Sequence, residues 1–339
     1  MSGKKIVILF PCIGRRVSLL RLFRQACRRL GREAVIIGTD TTENSAALQC
    51  CDRKYIVRPV HHRGYGSEVT EIIRKEKVDL LVPTVDLDLP IWARRRGKLA
   101  QMGCTTLISS PRVVRICQDK RNTFTFLKEH GFETPETAIA ATALKRKRHH
   151  FPYFLKPWDG HASRGSMIVR NLEELKFYTK RIPNCLVQQF IDGQEHTVDV
   201  LVDFDGAVRC VVPRLRIETR GGEVNKGKTV KHEGMIEQSK RLIESLGAGP
   251  GVITIQCFLT KSKTTSKTAD RGPAGTEQII FIEINPRFGG GIPLSIKAGA
   301  NFPLWILRLL LGQKPRIRRA GWRDGLTMLR YDEAVWFEK

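Results

Sequence analysis

The chain has 339 residues, of which 41% are hydrophobic and 27% charged, and its 58 Lys and Arg outweigh 34 Asp and Glu to a formal charge of +24. That length accommodates two or three domains, each with its own core. No uninterrupted apolar run approaches the ~20 residues of a membrane span, and the longest, Trp305–Gly312, is cut by Arg308.

The N-terminal run Lys5–Phe10 lacks a small-residue cleavage site behind it and reads as a first buried strand rather than a signal peptide. The nine cysteines contain no C-x-x-C pair, which suits reduced thiols in a cytoplasmic protein. Basic clusters such as Arg94–Arg96, Lys145–Arg148 and Arg316–Arg319 favour anionic ligands. They are scattered and lack interleaved aromatics, so a nucleic-acid surface is the less favoured reading.

Residues 4–110 alternate between strand and helix patterns. Lys5–Phe10 is a strand, Arg16–Leu30 an amphipathic helix ended by Gly31, and Ala34–Gly38 a second strand. Ser67–Lys77 is a helix, Val78–Pro83 a strand, Pro90–Met102 a helix and Thr105–Ser109 a fourth strand. This rhythm predicts a doubly wound parallel sheet. The first loop, P-C-I-G-R-R, holds Gly14 alone and so fails the three-glycine dinucleotide fingerprint. The loop Thr84–Pro90 follows a strand end, where such sheets place ligands; Asp86 and Asp88 there either face an amine or cap the next helix.

Val113–His130 reads as one helix, and Phe151–Lys156 and Met167–Val169 as strands. Leu172–Arg181 reads as a helix, followed by strands Leu186–Ile191, Thr197–Asp203 and Ala207–Pro213. Helix Glu233–Leu246 precedes Val252–Thr260, and Lys261–Thr276 reads as a long hairpin loop before the strand Gln278–Asn285. The tail from 315 onward is basic, then acidic.

Four features follow in order. Asp119–Lys120 places a lysine within reach of a phosphate. Lys156 ends a strand and opens the small-residue loop K-P-W-D-G-H-A-S-R-G-S, whose Gly160, Ser163, Gly165 and Ser166 let backbone N–H groups approach oxygens. The stretch L-V-Q-Q-F-I-D-G-Q-E turns at Asp192–Gly193 and sets Glu195 near a strand edge. Glu283 and Asn285, two apart in F-I-E-I-N-P-R, share a strand face and offer the oxygen ligands that Mg²⁺ takes, with Gln256 on the preceding strand of the hairpin. Arg287 follows and suits a phosphoryl or carboxylate oxygen.

With these residues in this order the chain resembles the ATP-grasp superfamily, most of all stand-alone proteins similar to the carbamoyl-phosphate synthase large subunit and carboxylate–amine ligases. The resemblance covers roughly residues 5–312, including E-I-N-P-R-F-G-G-G-I-P-L-S at 283–295 and A-G-A-N-F-P at 298–303. It implies an α/β pre-ATP-grasp domain (1–112), an ATP-grasp lid subdomain (113–185), a metal-bearing C-terminal subdomain (186–314) and a tail (315–339). Lys120 and Lys156 would contact ATP phosphates, the loop 159–166 would cover them, Gln189, Phe190 and Ile191 would form the adenine hinge, and Glu195 would hold the ribose. Gln256, Glu283 and Asn285 would bind Mg²⁺, with Mn²⁺ as an alternative, and Lys156 and Arg287 would act on the transferring group. The loop 214–231, with Arg214, Arg216, Arg220, Lys226 and Lys228, would close over an acid, and Asp86 is a further substrate candidate. Gln256 is an amide where many relatives carry a carboxylate.

The resemblance thus implies an ATP-dependent, amide-forming ligase working through an acyl phosphate on small-molecule or peptide acids and amines, with a homodimer as its candidate assembly. Formation of carbamoyl or another acyl phosphate without amide synthesis, and a non-catalytic basic module that binds nucleic acid, are the alternatives.

Overall fold

The computed structural model describes residues 5–160, 165–261 and 276–338. The N-terminal part runs β1 (Lys5–Phe10), α1 (Val17–Arg29), β2 (Glu33–Asp40), α2 (Ala46–Gln49), β3 (Arg53–Ile56), α3 (Tyr65–Glu76), β4 (Leu80–Leu81), α4 (Leu89–Gln101) and β5 (Thr105–Thr106). The strands pair in parallel in the order β3-β2-β1-β4-β5. The strand order reverses between β1 and β4, so the loops leaving their C-terminal ends flank a crevice. Those loops carry Arg16 and Asp86. The edge strand β3 is absent from the hydrophobic pattern because none of its residues is buried, and the helix α2, at four residues, is too short to show a helical period.

Next come α5 (Pro111–Gln118), α6 (Lys120–Glu129), β6 (Thr137–Ile139), α7 (Ala140–Leu144), β7 (Tyr153–Pro157), β8 (Met167–Val169), α8 (Leu172–Thr179) and β9 (Cys185–Gln189). The single helix expected over 113–130 is two. Asp119 breaks it in an extended conformation (φ −104°, ψ 113°) and caps the second by accepting from Arg121 N at 2.9 Å. The break makes Lys120 the first residue of α6. The strands form an antiparallel sheet, β6-β9-β7-β8, over a small separate core of Tyr153, Leu155, Val169, Leu175 and Val187.

The remainder is β10 (Gln194–Val202), β11 (Val208–Arg220), β12 (Glu223–Thr229), α9 (Glu233–Leu246), β13 (Gly251–Lys261), β14 (Glu277–Asn285), α10 (Ile292–Lys297), α11 (Phe302–Leu310) and β15 (Thr327–Leu329). Its antiparallel sheet has the order β14-β13-β10-β11-β12-β15. The expected loop over 214–231 is instead the hairpin β11–β12, turning at Gly221, whose φ of +59° suits glycine. Helix α9 packs one face of this sheet; it is capped by His232, whose Nδ1 accepts from Met235 N at 3.1 Å, and ends at Gly247 (φ 65°).

One continuous core joins this sheet to α1 and the N-terminal sheet. Phe10, Phe23 and Phe288 stack edge-on at 5.3 and 5.8 Å across that junction. A second core lies under α3 and α4. Most of Lys261–Thr276 lies outside the described residues. Among the described residues no helix is long and apolar enough to cross a membrane.

Candidate active site

A cleft of about 690 Å³ opens where the three sheets meet. Its floor follows from strand register. Across the C-terminal sheet, Arg214 lies opposite Thr197, Thr197 opposite Gln256, and Gln256 opposite Glu283. One row on, Asp199 pairs with Thr254, and Thr254 with Asn285. On the other side, Glu195 is opposite Phe258. Directly opposed residues share a face, so acid, amide and guanidinium groups from four strands project into one space.

Strict alternation along β14 would also put Phe281 there. A bulge between Gln256 and Cys257 absorbs Ile282, and Phe281 turns into the core opposite Cys257. This bulge lets Glu283 and Asn285 face the cleft while the preceding odd-numbered residue stays buried in apolar surroundings.

The wall opposite comes from α6 and β7. Lys156 leaves β7 only 7% exposed and makes no ion pair or hydrogen bond among the described residues. Burial pushes its ammonium down to about 8; Glu283 opposes that shift and Lys120 adds to it. Lys120 Nζ donates to Gly160 O and lies 3.4 Å from Glu283 Oε1. Trp158 anchors this corner: its carbonyl accepts from Lys120 N at 3.0 Å, and the Arg121 guanidinium stacks 4.0 Å from its ring. A Cβ at Gly160 would crowd Pro157 at 3.1 Å, so the turn keeps a small residue there. Gln189, Phe190 and Ile191 line the end of the cleft beyond β9.

At the other end Arg287 crosses to the N-terminal part and holds Asp86 bidentately, Nε–Oδ1 at 2.9 Å and Nη2–Oδ2 at 2.5 Å. Burial works against the Arg287 charge, but Asp86 outweighs it and its pKa rises. Asp86 is therefore a partner of Arg287 rather than a free acceptor for an amine. Arg216 Nε lies 3.2 Å from Glu195 Oε2, and burial raises the Glu195 carboxyl against that pull. Arg214 and Asp199 are buried at 1% and 0% and pair through Nε–Oδ2 at 2.7 Å and Nη2–Oδ1 at 3.0 Å.

Of the residues singled out from sequence, Asp86, Lys120, Lys156, Gly160, Gln189, Phe190, Ile191, Glu195, Arg214, Arg216, Gln256, Glu283, Asn285 and Arg287 all line this cleft. Gly165 stands beside it, against Pro157. Ser163 lies outside the described residues. Three expectations fail. Arg220 is exposed and pairs with Asp332 at 3.3 Å, and Lys226 pairs with Glu218 at 2.5 Å. Lys228 is opposite Leu215, on the sheet face turned away from Arg214 and Arg216. Hairpin pairing removes all three from the substrate space.

Sequence reading missed Arg16, Asp199, Glu223, Thr254 and Ser295. Asp199 left one signal, an acid inside the apolar run Thr197–Val202. Asp88 does not face an amine either: it points inward, wholly buried, and accepts from Tyr65 Oη at 3.2 Å while its Oδ1 has no partner among the described residues. Burial raises its carboxyl from 3.8 to about 7. The folded protein then binds a proton that the unfolded chain releases, so stability should fall as pH rises between those two values. Asp88→Asn should match the wild type near pH 4 and exceed it by several degrees in Tm above pH 7; thermal unfolding across that range measures this.

Family models match in three stretches: an ATP-grasp domain over 117–291, a PylC-like N-terminal domain over 8–107, and "ATP-grasp in the biosynthetic pathway with Ter operon" over 272–334. A carbamoyl-phosphate synthase of Methanobrevibacter smithii is 28% identical over 197 residues, 57% of this chain and 52% of that protein. The large-chain N-terminal section of carbamoyl phosphate synthase from Aquifex aeolicus is 25% identical over 331 residues, 89% of this chain and 56% of that one. The chain thus spans about half the length of these relatives. In fold it resembles the biotin carboxylase domain of Hydrogenobacter thermophilus 2-oxoglutarate carboxylase, with a TM-score of 0.71 and 17% identity over 94% of this chain and 73% of that one. It also resembles an L-amino acid ligase of Bacillus licheniformis, with a TM-score of 0.65 and 18% identity over 91% and 75%.

Proposed function

The chain belongs to the ATP-grasp family, and from that premise we propose that it is an ATP-dependent ligase joining a carboxylate to an amine through an acyl phosphate. The observation that carries this is Lys156: a buried ammonium without an acceptor among the described residues, facing Glu283 and the two amides across one cleft. An anionic ligand there would supply the missing counter-charge.

In this reading ATP lies between the two smaller-sheet and larger-sheet walls. Gln189, Phe190 and Ile191 border the adenine, Glu195 takes the ribose hydroxyls, and Lys120, Lys156 and the turn at Gly160 take the phosphates. The metal donor set fits Mg²⁺. Gln256, Glu283 and Asn285 are oxygen donors on one face, their amides make no side-chain hydrogen bond among the described residues, and one carboxylate plus phosphate oxygens is a sufficient set for this ion. Bound there, Mg²⁺ would neutralise charge on the phosphate oxygens.

A carboxylate oxygen of the acid attacks the γ-phosphorus, and the bond to ADP breaks. The amine lone pair then attacks the acyl carbon; phosphate leaves and the amine nitrogen loses its proton. Lys156 and Arg287 hold charge that moves onto the transferring group, so catalysis is positioning and electrostatics without a protein nucleophile. The cysteines fit that division: Cys257, next to Gln256 on β13, is buried with its thiol pushed up to about 12.

The full chain with Mg-ATP and a panel of acids and amines should release phosphate only when an acid–amine pair is present. Phosphate release with bicarbonate and no amine would favour formation of a carbamoyl-type acyl phosphate instead. A folded sample that binds ATP yet stays inert across the panel would sink the ligase reading.

A further inference from the structure

Beyond the nucleotide half of the cleft, two guanidinium groups converge on the turn Gly289–Gly291. Arg214 uses Nε and Nη2 on Asp199, and Asp199 is steadied by Ser295 Oγ at 2.6 Å. Its Nη1 is buried without a hydrogen-bond partner among the described residues. A Cβ placed on Gly291 would lie only 2.3 Å from that nitrogen. Arg16 arrives from the loop after β1, and its Nη1 would lie 2.9 Å from a Cβ on Gly290. Among the described residues its one ion pair is with Glu223, at 3.3 Å. The absence of side chains at these glycines leaves room for the two nitrogens, the Glu223 carboxylate and Val224, and the cleft reaches this turn, lined by Arg16, Arg214 and Gly289–Gly291. A buried guanidinium N–H without an acceptor is costly, and a bound anion removes that cost.

Each of these guanidiniums also has a carboxylate partner, and the Arg16 side lies close enough to Arg287 for the two charges to interact, so it is Arg214 that marks the far end of the cleft. Arg214 stands two strands from Gln256 and three from Glu283 in the same row, which at strand spacing is roughly 10 and 14 Å between backbones. Side chains reaching inward from both ends leave the span of a short carbon chain with an acidic group at each end.

We propose that the acid substrate is a small dicarboxylate, acidic amino acids included, whose non-reacting carboxylate is received by Arg214 Nη1 and Arg16 Nη1 above Gly290 and Gly291. The reacting carboxylate then lies beside Glu283, Asn285 and Arg287. Asp199 and Ser295 are positioning residues that aim Arg214. This rests on the ligase reading above, and the test separates the two.

Calorimetric titration of the full chain with ADP tests the nucleotide half alone; a folded protein that does not bind ADP overturns the ligase reading and this one with it. Hydroxylamine then serves as a general amine, trapping any acyl phosphate as a hydroxamate. The acids are aspartate, glutamate, succinate and glutarate against asparagine, glutamine, propionate and bicarbonate. A dicarboxylate should react, and its monoamide or monoacid counterpart should fall by roughly 10²–10³-fold in kcat/KM, because the missing oxygen leaves the guanidinium unpaired.

Gly291→Ala is the sharper variant. Its backbone (φ −87°, ψ 1°) accepts a side chain, and the new Cβ, 2.3 Å from both Arg214 Nη1 and Val224 Cγ1, pushes the guanidinium or Val224 aside, so Arg214→Lys is the variant that checks the same pole without filling it. It should lower kcat/KM for the dicarboxylate on the order of 10²-fold, mainly through KM, erase the preference over the monoamide, and leave ADP affinity within about twofold. Arg214→Lys should do the same, and Ser295→Ala should raise KM by less. The proposal is overturned if ADP binds but bicarbonate or a monoacid is preferred, if no acid in the panel reacts, or if a folded Gly291→Ala keeps the dicarboxylate preference.

Discussion

Replacing Lys156 by Met should leave a protein that is more stable than the wild type at neutral pH and almost inactive. The ammonium is buried at 7% exposure and its pKa is lowered from 10.5 to about 8. Below pH 8 both folded and unfolded chains carry the proton, and the folded state bears the full cost of burying it. Between about 8 and 10.5 the unfolded chain binds more protons, so this group makes stability rise with pH. At pH 7 the penalty amounts to about 3 kcal/mol, from the shift at 1.36 kcal/mol per unit. Met keeps the length and apolar contacts without the charge, so urea unfolding should show a gain of that order at pH 7, shrinking towards pH 10. Turnover should fall by roughly 10²–10³-fold, the usual cost of one preorganised donor to developing charge. In the wild type, kcat/KM for ATP should decline above about pH 8 as Lys156 loses its proton. A flat pH profile together with an unchanged Lys156→Met activity would remove this lysine from the site.

Asp199→Ala should be among the most destabilising single changes in the molecule. Asp199 is wholly buried and holds Arg214, itself 1% exposed, through two hydrogen bonds, with Ser295 donating a third. Removing the carboxylate strands a guanidinium in the interior, which costs about 3–5 kcal/mol. Removing both charges with Asp199→Leu and Arg214→Met avoids the stranded ion and should recover most of that loss, giving a coupling of several kcal/mol in a double-mutant cycle. Additive losses would mean that solvent or another group compensates Arg214. The comparison also separates roles: the double variant should fold yet discriminate poorly among acids, since it lacks the guanidinium that would receive the second carboxylate.

Lys156 and Asp199 illustrate how differently two site residues show in sequence. Lys156 ends an apolar strand and opens a loop of small residues, so its local pattern already suggests a phosphate contact. Glu283, Asn285 and Arg287 are similarly legible, because polar residues inside F-I-E-I-N-P-R have no bland purpose. Asp199 and Arg214 are far apart in sequence, and each looks ordinary alone. Their pairing depends on antiparallel register between β10 and β11. Arg16 depends on topology: it joins the cleft because the strand order reverses between β1 and β4. Arg220, Lys226 and Lys228 mislead for the same reason in reverse, since composition suggested a basic loop and hairpin pairing turned them away.

The break at Asp119 is a finer case. Hydrophobic spacing runs through it, so periodicity reads one helix. The aspartate's side chain competes for the backbone N–H of Arg121 and starts a second helix, delivering Lys120 at its first turn.

By itself the sequence determined the parallel α/β start, the antiparallel strands that follow, and the order of the polar residues that line the cleft, because apolar period and local polar exceptions are short-range properties of the chain. Only the tertiary structure decided which charges are partners and which are free. Register, the bulge at Ile282 and the crossing of Arg287 to Asp86 are set by packing between segments up to 201 residues apart. Whether a guanidinium is satisfied or left with an open N–H depends on that packing, and it is the open N–H of Arg214 that points to what the cleft accepts.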